Sequence, residues 1–332
     1  MNSEYELRVA VAGFGTMGRK HTVNCTQIDG VKVAAVAVLD EAEGAVVSSE
    51  TNLPFYIDAK KMLAEVPVDA IIIATPPGVR RGMVNTAIAA GTAVFIEKPI
   101  ALDTDTAAGY RDAVKGSTIV NAVGFQLRYS PLAEEARRLI SGRPVTHVRT
   151  MTTTSYYINM DVPLWFLQRE HSGGPLLEQS IHMIDMARYL VGDITHVFAR
   201  ADRLTYPDVE HLDSEDTMVL AYRFAGGALG THTDSCATTV FNWEIELFGP
   251  DWRLLLDFAR KRLSGYINGD TIEKEFPDID LHMLEMKAFL EAVRSKKTDV
   301  VRSDFADATK TLATVLTGDR SIKTGAWEPV SP

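Results

Sequence analysis

Up to residue 124, short apolar runs without polar alternation trade places with stretches of helical period. Residues 7–12, 31–39, 68–75, 93–96 and 118–123 are rich in valine, isoleucine and alanine. Strands buried on both faces of a parallel sheet read this way. Between them, 17–28, 60–65, 79–90 and 104–114 carry helical patterns, and Gly91 closes the third as a glycine past a helix end does. Strand and helix in alternation predict an α/β domain with a doubly wound parallel sheet over residues 1–124.

The texture changes after Gly124. Runs at 146–154, 195–202, 217–224, 228–234, 243–248 and 253–258 alternate polar with apolar, and Gly226-Gly227 and Gly249-Pro250-Asp251 mark turns. A helix at 176–190 interrupts them, and two more, at 282–294 and 304–317, close the chain. Residues 125–332 are therefore expected to form an α+β domain on a large open, mainly antiparallel sheet. An apolar open face on such a sheet points to burial against a second copy of the chain, as a homodimer or homotetramer.

Composition adds bounds. A chain of 332 residues suits two domains, and 46% hydrophobic with 23% charged residues is ordinary for a soluble globular protein. The net charge, 34 − 44 = −10, argues against a nucleic-acid partner, which calls for a basic face. It leaves room for a small anion, because a local pocket can oppose the global charge. The apolar runs are strand-length, short of the ~20 residues that a membrane span needs. The acidic start, Met1 to Glu6, lacks the apolar region of a signal peptide. Cys25 and Cys236 are the only cysteines, too few and too far apart for a disulfide framework or structural zinc site. No metal is expected, and the cytoplasm is the expected location.

The first candidate chemistry lies at Gly13-Phe14-Gly15-Thr16-Met17-Gly18, a Gly-x-Gly-x-x-Gly that follows a strand and opens a helix. Gly13 permits the tight turn, Gly15 lets backbone approach a pyrophosphate, and Gly18 lets helix and strand pack closely. The N–H groups at the helix start, with the helix dipole, then face the phosphates of a dinucleotide. Asp40 follows 22 residues after Gly18, where a carboxylate binds the adenosine ribose hydroxyls. With Glu41 beside it, a 2′-phosphate meets two negative charges, so NAD is expected over NADP. The alternative is that Asp40 only caps the next helix.

Five segments now carry a resemblance: the loop at 13–18; Thr75-Pro76-Pro77; Glu97-Lys98-Pro99; Gly124-Phe125-Gln126-Leu127-Arg128-Tyr129; and Gly173-Gly174 followed by Glu178, His182 and Asp185. Together they resemble the Gfo/Idh/MocA family, the glucose-fructose oxidoreductase and inositol dehydrogenase relatives, over essentially the whole chain. The resemblance implies an NAD(P)-dependent dehydrogenase with an N-terminal Rossmann domain, acting on sugars, cyclitols or related polyols. It implies cofactor contacts from residues 13–18, Asp40, Thr75, Pro76, Pro77, Glu97, Lys98 and Gln126. Two departures stand out. Position 178 is glutamate where the family usually has aspartate, and Arg80-Arg81 stand where relatives often carry a histidine.

The residues themselves agree with that chemistry. Oxidising a secondary alcohol moves a hydride to the nicotinamide while the protein takes the hydroxyl proton. Histidine is the side chain whose ordinary pKa lies near neutrality, so His182 is the expected general base. Glu178 lies at i−4 and Asp185 at i+3 from it, on one helical face. Lys98 follows a buried strand, at the end where such sheets bind ligands, placed to hydrogen-bond the reacting oxygen. Glu178's extra methylene over aspartate moves its carboxylate by about an ångström, enough to alter substrate contact. Lys98, Arg128, Tyr156, Trp165, Glu178, His182 and Asp185 are the expected substrate contacts. Each has a plainer alternative. Tyr156, Tyr157 and Trp165 either stack on a sugar ring or pack beneath the sheet; Arg128 binds a substrate anion or pairs with Glu134-Glu135; Asp185 orients a neighbour. His171, His211 and His232 read as ordinary polar residues. Rival functions on the same fold are an NAD-dependent redox glycosidase and a non-catalytic NAD-binding regulator.

Overall fold

The computed structural model describes residues 6–159, 162–205 and 212–331. In chain order the first elements are β1 (Leu7–Ala12), α1 (Thr16–Thr26), β2 (Val31–Ala37), α2 (Glu41–Thr51), β3 (Phe55–Tyr56), α3 (Ala59–Glu65) and β4 (Ala70–Ile73). Then come α4 (Arg81–Ala89), β5 (Ala93–Glu97), α5 (Thr104–Val114), β6 (Asn121–Gly124), α6 (Pro131–Ile140), β7 (His147–Thr153) and three one-turn helices, α7 (Tyr156–Asn159), α8 (Leu164–Leu167) and α9 (Arg169–Ser172). A π-helical turn, Leu176–Ser180, leads into α10 (Ile181–Val191). Strands β8 (Ile194–Asp202), β9 (Thr217–Phe224), β10 (Leu229–Ser235), β11 (Asn242–Gly249), β12 (Trp252–Asp257), β13 (Arg262–Ile267) and β14 (Asp270–Glu275) follow. Helices α11 (Leu281–Ser295) and α12 (Phe305–Thr324) and the short β15 (Glu328–Pro329) end the chain.

The chain divides into two compact units. The first comprises Met1–Ala101, Asp105–Gln126 and Asp280–Ala308; the second comprises Leu102–Thr104, Leu127–Ile279 and Thr309–Pro332. The first unit holds a six-stranded parallel sheet in the order β3-β2-β1-β4-β5-β6. Its order reverses between β1 and β4, and the crevice outside the strand ends at such a point is where ligands bind. Ile71, Ile72 and Ile73 are fully buried, as the uninterrupted apolar run requires of a strand covered on both faces.

Helix α11 belongs to this first unit. Met286, Phe289 and Leu290 on one of its faces join Leu7, Val9, Val11 and Phe95 in a single core. A simple cut after residue 124 gives this helix to the second domain. The structure corrects that: helical period marks an apolar face but does not say which sheet will cover it.

The second unit is built on a nine-stranded sheet, β14-β13-β12-β11-β7-β10-β9-β8-β15, antiparallel except where β7 and β10 pair in parallel. Helix α10 lies over β7 and β11, and α6 over β12 and β13. The other face of the sheet is mixed rather than apolar. Val219, Leu229 and Tyr266 are exposed there, among Arg149, Thr231 and Thr233.

Candidate active site

The first unit places the glycine loop between β1 and α1. Gly13 has φ +92°, and a Cβ on it would lie 2.9 Å from the Ala74 carbonyl oxygen. A Cβ on Gly18 would lie 1.9 Å from the Gly13 carbonyl oxygen, so α1 rests directly on the turn. A Cβ on Gly15 would meet nothing within 4 Å. Gly15 is also the N-cap of α1, with no side-chain cap and no acidic residue in the first turn opened by Thr16 and Met17. The helix thus presents backbone N–H groups to open space, free of competing carboxylates, which fits a pyrophosphate. Phe14 is buried below the loop, with the Arg19 guanidinium 4.8 Å from its ring centre.

Asp40 stands exposed beyond the end of β2 and caps α2: its Oδ1 accepts the Glu43 N–H at 2.9 Å, while Glu43 accepts the Leu39 N–H at 2.9 Å. The capping role weighed in the sequence is therefore real. It occupies one carboxylate oxygen and leaves the other side of the group facing outward. Leu39 and Val79, past the ends of β2 and β4, are 83% and 63% exposed. Thr75 Oγ1, next to them after β4, is buried without a hydrogen-bond partner in the protein.

At the end of β5 the Glu97 carboxylate turns inward. His21 Nε2 lies 2.7 Å from its Oε1, and the two side chains are 0% and 9% exposed. Burial pushes the carboxyl's pKa up. The hydrogen bond from His21, followed by the charges of His21, His282 and Lys98, outweighs this and holds it down at about 2. Glu97 thus anchors the strand end from within. Lys98 is half-buried, and the Lys98–Pro99 peptide is cis. Gln126 is buried in the short 3₁₀ turn Gln126–Tyr129.

In the second unit Glu178 and His182 are each 6% exposed. The helix carrying them is not uniformly α: Glu178 sits in the π turn and His182 in the first turn of α10. Such turns widen a helix locally and re-aim its side chains. Ser180 Oγ ties the turn to the sheet by donating to Asp234 Oδ2 at 2.6 Å. The His182 ring packs on Trp243 of β11, ring centres 4.9 Å apart. Trp243 went unnoticed in the sequence, although an inward-facing aromatic in an alternating strand is the signal for such a wall. Opposite it on β7, the Thr152 hydroxyl is buried without a partner in the protein.

Arg128 and Asp185 pair with each other rather than with Glu134-Glu135. Arg128 Nε and a terminal nitrogen donate to the two Asp185 oxygens at 2.7 and 2.6 Å, with both side chains almost wholly buried. Thr311 Oγ1 adds a bond to Asp185 at 2.8 Å. This fork pairs the two charges and ties α10 to the start of the unit. Tyr156 is 39% exposed and packs on Phe166, as does Trp165, whereas Tyr157 is buried with Leu167, Leu212 and Cys236. His171 pairs with Glu170 at the surface, and His232 is fully buried with Nδ1 2.9 Å from Thr150 Oγ1. His211 lies outside the described residues. Among the described residues no group of His, Cys, Asp and Glu is arranged to hold a metal ion, and no helix is long and apolar enough to cross a membrane.

Known proteins match this chain throughout. The family model described as an oxidoreductase family with an NAD-binding Rossmann fold matches residues 7–125, and the Gfo/Idh/MocA C-terminal domain matches residues 133–254. The chain belongs to the Gfo/Idh/MocA family. A scyllo-inositol 2-dehydrogenase (NAD(+)) of Bacillus subtilis is 28% identical, covering 97% of this chain and 96% of its own length. A myo-inositol 2-dehydrogenase of Thermotoga maritima is 27% identical over 77% of this chain and 76% of its own. The fold is that of levoglucosan dehydrogenase, solved with NADH and levoglucosan, at TM-score 0.87 with 21% identity over 98% of this chain and 100% of that one.

The Glu97–His21 pair makes acid stability testable. A carboxyl held at about 2 in the fold, against about 4.3 in the unfolded chain, stabilises fully above the higher value and loses that stabilisation as pH falls toward 2. The part at stake is on the order of 3 kcal/mol. Urea midpoints followed from pH 5.5 to 3 are expected to fall less steeply in Glu97→Gln than in the parent. Equal slopes would contradict the assignment.

Proposed function

We propose that this chain is an NAD-dependent dehydrogenase that interconverts a secondary alcohol and ketone on a sugar, cyclitol or related polyol. The observation that carries the reading is the open start of α1 behind Gly15, uncapped and free of acidic residues. It occurs in a chain whose second unit offers a buried Glu178 and His182 on one helix. The relatives named as inositol dehydrogenases supply the substrate class.

Residues 13–18 would hold the pyrophosphate through backbone N–H groups, with Thr75, Pro76 and Pro77 along the same strand-end crevice. When bound, NAD supplies the hydride acceptor. The chain's own groups manage the proton and the oxygen. His182, its ring set by Trp243, takes the hydroxyl proton. Lys98 donates a hydrogen bond to the reacting oxygen and stabilises its alkoxide character in the transition state. Glu178 orients a neighbouring substrate hydroxyl, and Tyr156 and Trp165 offer aromatic surface to the ring. Asp40 and Glu41 select NAD by repelling a 2′-phosphate. The mixed open face of the large sheet, with Val219, Leu229 and Tyr266, is the proposed contact between copies in a dimer or tetramer.

Lys98→Ala is expected to lower kcat for polyol oxidation by about 10²–10³-fold while NADH binding, followed by its fluorescence, persists. A variant with full turnover would remove Lys98 from the chemistry. For the parent, kcat/KM with NAD is expected to exceed that with NADP at least tenfold; the reverse preference would overturn the role of Asp40.

A further inference from the structure

Arg80, the first of the two arginines that stand where relatives often carry a histidine, is a charged side chain only 3% exposed. Burying a guanidinium is costly unless its N–H groups are satisfied, so where they go is informative. Nε donates to the Thr75 carbonyl at 2.7 Å, and a terminal nitrogen donates to the same oxygen. The other terminal nitrogen donates to the Pro99 carbonyl at 2.5 Å and also to the Glu97 carbonyl. One side chain therefore grips the backbone immediately before and immediately after Lys98 and ties both to the end of β4.

We propose that Arg80 is a positioning residue for Lys98: its guanidinium clamps the carbonyls of Glu97 and Pro99 and so fixes where the Lys98 side chain begins. The proposal rests on the role given to Lys98 under the proposed function. The chemistry of the segment explains why a clamp is needed. Pro99 has no N–H, so past the end of β5 carbonyl oxygens are the handles by which its backbone can be held. An imidazole offers at most two N–H donors, pointing apart. A guanidinium offers five in a planar fork and reaches three carbonyls on two strand ends at once. The inward anchor, Glu97 on His21, holds the same segment from the other side by its side chain. With both in place Lys98 is left only its own side-chain torsions, and an ångström of slack in such a donor costs about a hundredfold in rate.

The test uses the full chain with Arg80→Gln, Arg80→Lys, Lys98→Ala and the double variant Arg80→Gln/Lys98→Ala. Arg80→Gln is expected to lower kcat tenfold or more while KM for NAD and for the polyol stays within threefold. Arg80→Lys, which keeps the charge but not the fork, is expected to fall between it and the parent, and stands in if the glutamine variant does not fold. In single turnover, adding Arg80→Gln to Lys98→Ala is expected to change the rate less than twofold, since Arg80 acts through the missing lysine. In the chain without dinucleotide, amide hydrogen exchange at residues 97–101 is expected to speed up at least tenfold in Arg80→Gln, with exchange in β1 unchanged. An unchanged kcat in folded Arg80→Gln, or an equal loss in both backgrounds, would overturn the proposal. Full turnover in Lys98→Ala would instead overturn the reading beneath it. The exchange measurement then decides by itself whether Arg80 holds the segment, unchanged exchange refuting that as well.

Discussion

The contact on which the first unit depends is the approach of α1 to the turn after β1. A Cβ at position 18 would sit 1.9 Å from the Gly13 carbonyl oxygen, and one at position 13 would press on the backbone of Ala74. No side chain fits at either place. Because the helix can settle that close, its first N–H groups come to the switch point of the sheet, beside the ends of β1 and β4. Those groups have no side-chain cap, so an anion is the natural partner for them. The dinucleotide reading follows from that steric fact more than from the spacing of glycines.

The same unit shows how buried polarity is used to hold a short segment still. Glu97, in the Glu-Lys-Pro segment, spends its carboxylate on His21, and Arg80 spends its guanidinium on the carbonyls around Lys98. Lys98, half-buried, lies between those carbonyls in the chain. The second unit follows the same economy. Arg128 and Asp185 neutralise each other, and Ser180 is tied to Asp234, which secures the helix that carries Glu178 and His182.

Much of this was legible in the residues, and the exceptions have physical causes. Parallel strands bury both faces, so their unbroken apolar runs located β1, β2, β4 and β5 within a few residues. Helix α2 was legible in the sequence only as the helix that Asp40 could cap, because Glu-Ala-Glu-Gly-Ala-Val-Val-Ser-Ser has weak helical character of its own. The hairpin of β13 and β14 turns at Asn268-Gly269, both at positive φ in the structure, but β14, Asp-Thr-Ile-Glu-Lys-Glu, is too polar to stand out by hydrophobicity. The pairing of Arg128 with Asp185, and the use of Arg80, depend on chain segments distant in sequence, where charge type alone names no partner. The π turn at Glu178 is invisible for another reason: Leu-Leu-Glu-Gln-Ser carries no residue pattern that separates it from an ordinary buried helical turn.

Hydride transfer between a polyol carbon and NAD is the proposed chemistry of this chain. It is tested most directly by incubating the protein with NAD and a panel of inositols and aldoses deuterated at their carbinol carbons, with mass analysis of the dinucleotide. NADH is expected to accumulate with product and to carry one deuterium from the substrate carbon. Product formed with no net NADH, or bound NAD that never acquires deuterium from any of the polyols, would contradict it.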